Sequence, residues 1–152
     1  MRNRPAPKQT GAALVEFALV VTILFLLLAG TYELGRAFAF YDALSKATRD
    51  GARFMSVAKK ATINSSSVSQ AKSVVVAAAN AAKVPGFTSS NVVVTCLDAS
   101  YNDSTCVDGT APGGVRVEIT GYSVNIGQTI PLIGNSVRLI NLTPRTTMRY
   151  ML

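Results

Sequence analysis

GAALVEFALVVTILFLLLAGTY, residues 11–32, is the stretch that decides the architecture. One carboxylate, Glu16, interrupts it, and no charge occurs from Phe17 to Tyr32. As a helix rising about 1.5 Å per residue, Ala12 to Tyr32 is long enough to cross a bilayer core of roughly 30 Å. Leu19, Val20, Val21, Ile23, Leu24, Phe25, Leu26, Leu27 and Leu28 form its centre. A carboxylate inside such a span costs roughly 2.5–3.5 kcal/mol at mid-span and less near the interface. Glutamate is too short to reach water as lysine or arginine does. Either Glu16 stays hydrated close to the interface or a positive group offsets its cost.

Upstream of the run, Arg2, Arg4 and Lys8 stand with no acid among them. Positive residues of this kind stay in the cytoplasm, so the remainder of the chain is expected outside. A removable secretory signal also has a basic start and an apolar centre. Against it, the apolar run is at the long end for a signal. The tidy small-x-small site Ala37-Phe38-Ala39 lies beyond Glu33 and Arg36, and a cut near Gly30 would place Leu28 where a small residue is wanted.

Downstream, the helical period continues. Leu34, Phe38, Tyr41, Leu44 and Thr48 recur at three- and four-residue steps, which predicts one amphipathic face. No proline occurs between Ala12 and Val84, so one helix is expected from about Ala12 to about Lys60. Gly35, Ala39, Ala43, Ala47 and Gly51 recur every fourth residue. Small residues so spaced let helix backbones approach closely. An alanine-rich helix of high propensity gives the same pattern, and the stripe gains meaning only if helices bundle. Glu33 and Arg36 fall at the outer membrane–water boundary, where a solvated pair worth a few tenths of a kcal/mol is expected.

Asn64 to Ser67 offers several N-caps. Val68 to Lys83 reads as a second helix with Val68, Ala71, Val75, Ala78 and Ala82 on one face, ended by Pro85 and Gly86. The period then changes to two. Val92, Val94 and Cys96 alternate with Val93, Thr95 and Leu97, and Val115, Val117 and Ile119 with Arg116, Glu118 and Thr120. Asp98 to Gly114 reads as a polar loop, Ile126 to Gly134 as a loop around Pro131, and Val137 to Met151 as a strand pair or one strand bent at Pro144. The fold class is α+β: a long transmembrane helix continuing into an extracytoplasmic domain, with a second helix on a small, mostly antiparallel sheet of three or four strands. The expected partition is a leader at 1–11, a transmembrane segment at 12–33, a helical extension at 34–61 and a small α+β domain at 62–152.

The chemistry is sparse. The 152 residues are 49% hydrophobic with a net charge of +7, but no basic stripe interleaved with aromatics is present, so nucleic-acid binding is not expected. Without histidine, triads with a histidine base are excluded. Phosphate-binding and dinucleotide-binding glycine motifs are absent. Asp98, Asp103 and Asp108 crowd one loop but lack the alternating spacing of a calcium loop, so a solvated acidic loop is expected. Cys96 and Cys106 are far from a C-x-x-C spacing, and a structural disulfide is expected over a redox or metal pair. Closing so short a loop stabilises by somewhat under about 3 kcal/mol in the chain-entropy model. No enzyme activity, cofactor, metal or small-molecule substrate is expected.

Gly11, then Ala12 to Val15, then Glu16-Phe17 and a long apolar run is similar to the processing signature of type IV pilin-like proteins of the Flp/Tad kind. Glu33-Leu34-Gly35-Arg36 and Ala47-x-Arg49-x-Gly51-Ala52-Arg53 extend the match, and together these residues resemble the TadE-like family of minor pilins, or pseudopilins. Thr22 stands where that family often carries a proline, which implies a straighter helix. The resemblance implies an inner-membrane protein of bacteria with a cytoplasmic N-terminus, cut by a prepilin peptidase between Gly11 and Ala12. Glycine there leaves the backbone open to the protease. The new amino group on Ala12 would then pair with Glu16 of a neighbouring subunit, Phe17 lying beside it. Other pilins and the pilus assembly platform are the implied partners. The rival expectation is an unprocessed, single-pass anchored binding domain.

Overall fold

The absence of helix breakers after Ala12 has its full effect. In the computed structural model, which describes residues 10–126 and 138–151, helix α1 runs without a break over Thr10–Ser56, 47 residues or about 70 Å. It ends four residues before the expected Lys60. A short 3₁₀ turn (Lys60–Thr62) and one wide π-type turn (Ile63–Ser67) lead into α2 (Val68–Ala81). The strands follow: β1 (Val92–Leu97), β2 (Asp103–Ser104), β3 (Gly114–Ile119), β4 (Ser123–Ile126), β5 (Arg138–Asn141) and β6 (Arg145–Arg149).

Four strands form an antiparallel sheet in the order β2-β1-β3-β6, and β4 and β5 form a separate antiparallel ribbon. The architecture is therefore α+β, with a long apolar helix, a second helix and a small antiparallel sheet. Alternation sets the register. Val92, Val94 and Cys96 of β1 lie opposite Ile119, Val117 and Val115 of β3, and those three β3 residues are fully buried. Arg116 and Glu118 take the other face. The Val137–Met151 segment divides at Leu142–Pro144, and its two strands join different sheets. The loop expected at Ile126–Gly134 and the leader lie largely outside the described residues.

The face that α1 buries differs from the one its large apolar residues suggest. Leu44 and Thr48 are buried, but Leu34, Phe38 and Tyr41 are exposed. The inner face is instead Glu33, Ala37, Leu44, Ala47, Thr48, Gly51, Ala52 and Met55, rich in small residues because α2 and the sheet both press against it. Residues 34–56 are therefore no free extension. They supply the core of the α+β head, which packs Leu44, Ala47 and Ala52 with Val75, Val117 and Ile119. On α2 the buried line is Ala71, Val75 and Ala79, and Ala82 is exposed. The helix closes through Lys83 at φ +55°, with the Lys83 N–H on the Asn80 carbonyl (2.9 Å) and the Val84 N–H on the Ala79 carbonyl (3.0 Å). This paired capping satisfies two end carbonyls and brings buried Val84 against buried Ala79.

Two further contacts fasten α1. The Thr48 and Thr146 hydroxyls meet at 3.0 Å, giving the buried Thr48 a polar partner on half-buried Thr146 and joining α1 to β6. At the end of α1, the Tyr150 hydroxyl donates to the Ala58 carbonyl (2.5 Å) and the Met151 N–H to the Ser56 carbonyl (2.9 Å), so carbonyls in and just after the last turn find partners.

Gly51 faces Val75 and the Ala71 carbonyl of α2. A Cβ there would lie 2.5 Å from Val75 Cγ2, whereas at Gly35 it would meet nothing within 4 Å. Gly51→Ala is expected to lose about 1–3 kcal/mol to overpacking, and Gly35→Ala nothing comparable. Thermal unfolding of the detergent-solubilised protein compares them, with Val75→Ala relieving the Gly51→Ala defect.

Candidate assembly and anchoring surface

The first turns of α1 carry Gly11, Ala12, Glu16 and Phe17, all exposed. Glu16 has no ion-pair partner among the described residues. From Leu14 to Tyr32 the large apolar side chains are exposed, apart from half-buried Val21. The helix is long and apolar enough to cross a membrane, and nothing in the described structure buries its most apolar stretch. Its hydroxyls are accommodated locally: Thr22 Oγ1 donates to the Ala18 carbonyl (2.7 Å) and Thr31 Oγ1 to the Leu27 carbonyl (2.9 Å). A span in lipid requires such internal pairing of polar groups.

Glu33 and Arg36 are not the solvated pair expected of them. Glu33 is 1% exposed, and its Oε2 accepts from Arg36 Nη2 at 2.8 Å. The same nitrogen donates to the Asn125 carbonyl of β4 at 3.0 Å. The pair thus faces the head and ties the helix to the β4–β5 ribbon. Sequence offered a signal for this: Glu33 is four residues before Ala37 and lies on the small-residue face, not on the Leu34–Phe38–Tyr41 face.

The small-residue stripe divides between two environments. Gly35 and Ala39 are exposed, Ala43 is half-buried, and Ala47 and Gly51 are buried inside the head. Its distal half serves packing within the chain, against Val75 and Val117.

The far end of the head holds the Cys96–Cys106 disulfide. Cys96 belongs to the core cluster of Met55, Ile63, Ala71, Val115 and Tyr150, so the bond pins the β1–β3 loop to the core. The three aspartates of that region are each engaged in structure and do not converge. Asp98 accepts from the Ser100 N–H (2.8 Å) and Asn102 N–H (2.9 Å), Asp103 pairs with Arg116, and Asp108 accepts from the Asn64 N–H (2.7 Å) and Ser65 N–H (3.2 Å). Asp108 therefore serves the turn before α2 from a distant loop, in place of a local cap: Ser67 makes no side-chain capping bond. The Gly109 N–H reinforces this at the Lys60 carbonyl (2.8 Å). Among the described residues no cluster of three or more histidine, cysteine or acidic side chains could hold a metal.

These bonds set the acid response. The Asn64 backbone N–H, with Ser65, holds the Asp108 carboxyl below the usual carboxylate range, the Asn102 backbone N–H does so for Asp98, and Arg116 does so for Asp103.

Residues 11–53 match the model of a family described as TadE-like protein. The match begins at Gly11 and covers nearly all of α1, and the resemblance drawn from Gly11 to Arg53 is borne out there. The family is associated with the Flp/Tad pilus and is not a family of enzymes. No curated protein and no solved structure matches the chain.

Arg36→Ala is expected to destabilise by about 1–3 kcal/mol, because it strips a hydrogen bond from a buried carboxylate and from β4. Arg36→Lys recovers only part, since an ammonium lacks the planar fork of guanidinium. Thermal unfolding measures both. For the aspartates, the folded pKa lies below the unfolded value of about 3.9, so their stabilisation is fully present above about pH 4 and lost as pH falls through the lowered folded values. Protection of the Asn64 and Ser65 amides in hydrogen exchange should fall over that range, and Asp108→Asn should weaken it even at neutral pH.

Proposed function

We propose that this chain is a minor pilin, or pseudopilin, of a tight-adherence (Tad/Flp) pilus and secretion system. In this reading α1 spans the bacterial inner membrane with Arg2, Arg4 and Lys8 in the cytoplasm and the head outside. A prepilin peptidase cuts between Gly11 and Ala12, removing the basic leader and freeing the Ala12 amino group. That group pairs with Glu16 of a neighbouring subunit during assembly on the pilus platform. The chain works by self-association of helices and not by catalysis.

The observation that carries this reading is Glu16: an exposed carboxylate, without an ion-pair partner among the described residues, on an apolar helix whose family match starts at Gly11. A lone charge entering lipid costs enough to need a partner, and breaking such a pair leaves an uncompensated charge. Small residues at Gly11 and Ala12 lie in the first turn, where the backbone is least obstructed and helix ends open most readily. The length of the chain, with a disulfide-held head, suits a low-copy or priming subunit better than a bare structural helix.

Intact mass of the membrane-extracted protein tests the reading. With the peptidase present the mass should correspond to a chain beginning at Ala12, and without it to one beginning at Met1. Glu16→Ala should still be trimmed but should assemble poorly. A chain that retains its leader while functioning would favour the anchored, unprocessed binding domain.

A further inference from the structure

The outward face of α1 stays free of charge well past the residues expected to end the span. From Phe17 to Tyr41 the only charged residues are Glu33 and Arg36, and both are turned to the head. The next charges, Asp42 and Lys46, pair at 2.7 Å on the wet surface and mark where it begins. Between Phe17 and Tyr41 the helix rises about 37 Å. That is longer than a hydrocarbon core of roughly 30 Å and shorter than the roughly 40–45 Å of a whole bilayer with its headgroups.

The extra length carries large apolar side chains. Leu34 is 51% exposed, Phe38 72% and Tyr41 47%. The head continues the surface: Ile140 of β5, 40% exposed, lines a groove of about 330 Å³ with Leu34, Ala37, Phe38 and Tyr41. Tyr32 and Tyr41 supply the amphipathic rings that settle at headgroup level.

We propose that this face is a lipid-seating surface. Leu34, Phe38, Tyr41 and Ile140 sink into the outer headgroup layer, so the head rests on the membrane in a fixed orientation and does not stand off on a bare stalk. The occupant is lipid because the patch is continuous with the uncovered span on the same helix and its length ends inside the bilayer's full thickness. A hydrophobic stretch longer than the core must be met by tilt or by burial at the interface, and apolar side chains on the adjoining strand favour burial. The Glu33–Arg36 pair fits the same arrangement, since the head shields it from the lipid side. This inference rests on the membrane-spanning part of the proposed function and is independent of processing and fibre assembly.

The chain contains no tryptophan, so one introduced ring is a clean probe. Phe38→Trp and Phe25→Trp would each be placed in the full chain and reconstituted in phosphatidylcholine vesicles with brominated acyl chains. Trp at 38 is expected to emit at blue-shifted wavelengths and to lose most of its intensity, more to bromines near the headgroup than to bromines near the chain end. Trp at 25 should be quenched most by deep bromines. The signal at 38 should persist as lipid is raised in large excess over protein. Water-like, unquenched emission at 38 with normal quenching at 25 would overturn the seating while leaving the span intact. Shielding at 38 that disappears on dilution in lipid would assign the patch to a second copy of the chain and overturn the proposal. Unquenched emission at 25 would overturn the span itself, and the seating with it.

Discussion

Helix α1 joins an uncovered apolar stretch to a protein-packed one on one continuous backbone, and the separation of charge around its axis is what makes this workable. Over residues 33–56 one side is buried in protein and the other is not. Glu33 and Arg36 are the residues that would ruin the apolar side if they were rotated onto it. They are held on the protein side by their mutual bond and by the Asn125 carbonyl. The cost of burying a carboxylate is offset there by a hydrogen-bonded cation, whereas Glu16, at the other end of the span, finds no such cation among the described residues. Of the two carboxylates, Glu33 meets its counter-charge within the chain, and Glu16 is exposed.

The head is built to hold that helix in place. Its core is made by α1 as much as by α2 and the sheet, so the compact unit has no independent boundary at residue 61 or 62. Small residues at Ala47, Gly51 and Ala52 bring α1 close enough for Val75 and Val117 to pack on it from two sides. At the far end the disulfide, Asp108 and Tyr150 connect the β1–β3 loop, the turn before α2 and the end of α1. Each of these carboxylates and hydroxyls has structural work, which leaves the loop no converging set of ligands.

Much of this was legible in the residues. The apolar run, the uninterrupted helix, the change of period at Val92 and the inward Val115–Val117–Ile119 alternation are local signals strong enough to survive tertiary context. The inner face of α1 was not legible, because periodicity of large apolar residues marks the greasiest face, and on a helix that is largely uncovered the greasiest face need not be the one that protein covers. Glu33 was misplaced for the same reason. Strand β4, Ser123–Ile126, alternates but is only four residues long, too short a run to stand out, and Asp108 reaches Asn64 across 44 positions of sequence, a distance no local pattern encodes. At the candidate site, Gly11 and Glu16 were singled out by their chemistry and position along the chain, and the structure places both exposed in the first turns of α1.

The seam between α1 and the rest of the head, from Ala37 to Met55, runs parallel to the helix axis. A pull along the apolar end of α1 therefore loads that seam in shear, and its contacts must fail together and not one after another. The Thr48–Thr146 bond and the anchorage at Ser56 and Ala58 lie in the same line of force. A load applied to the apolar end of α1 would therefore be carried by the head as one unit, with no single contact taking the strain first.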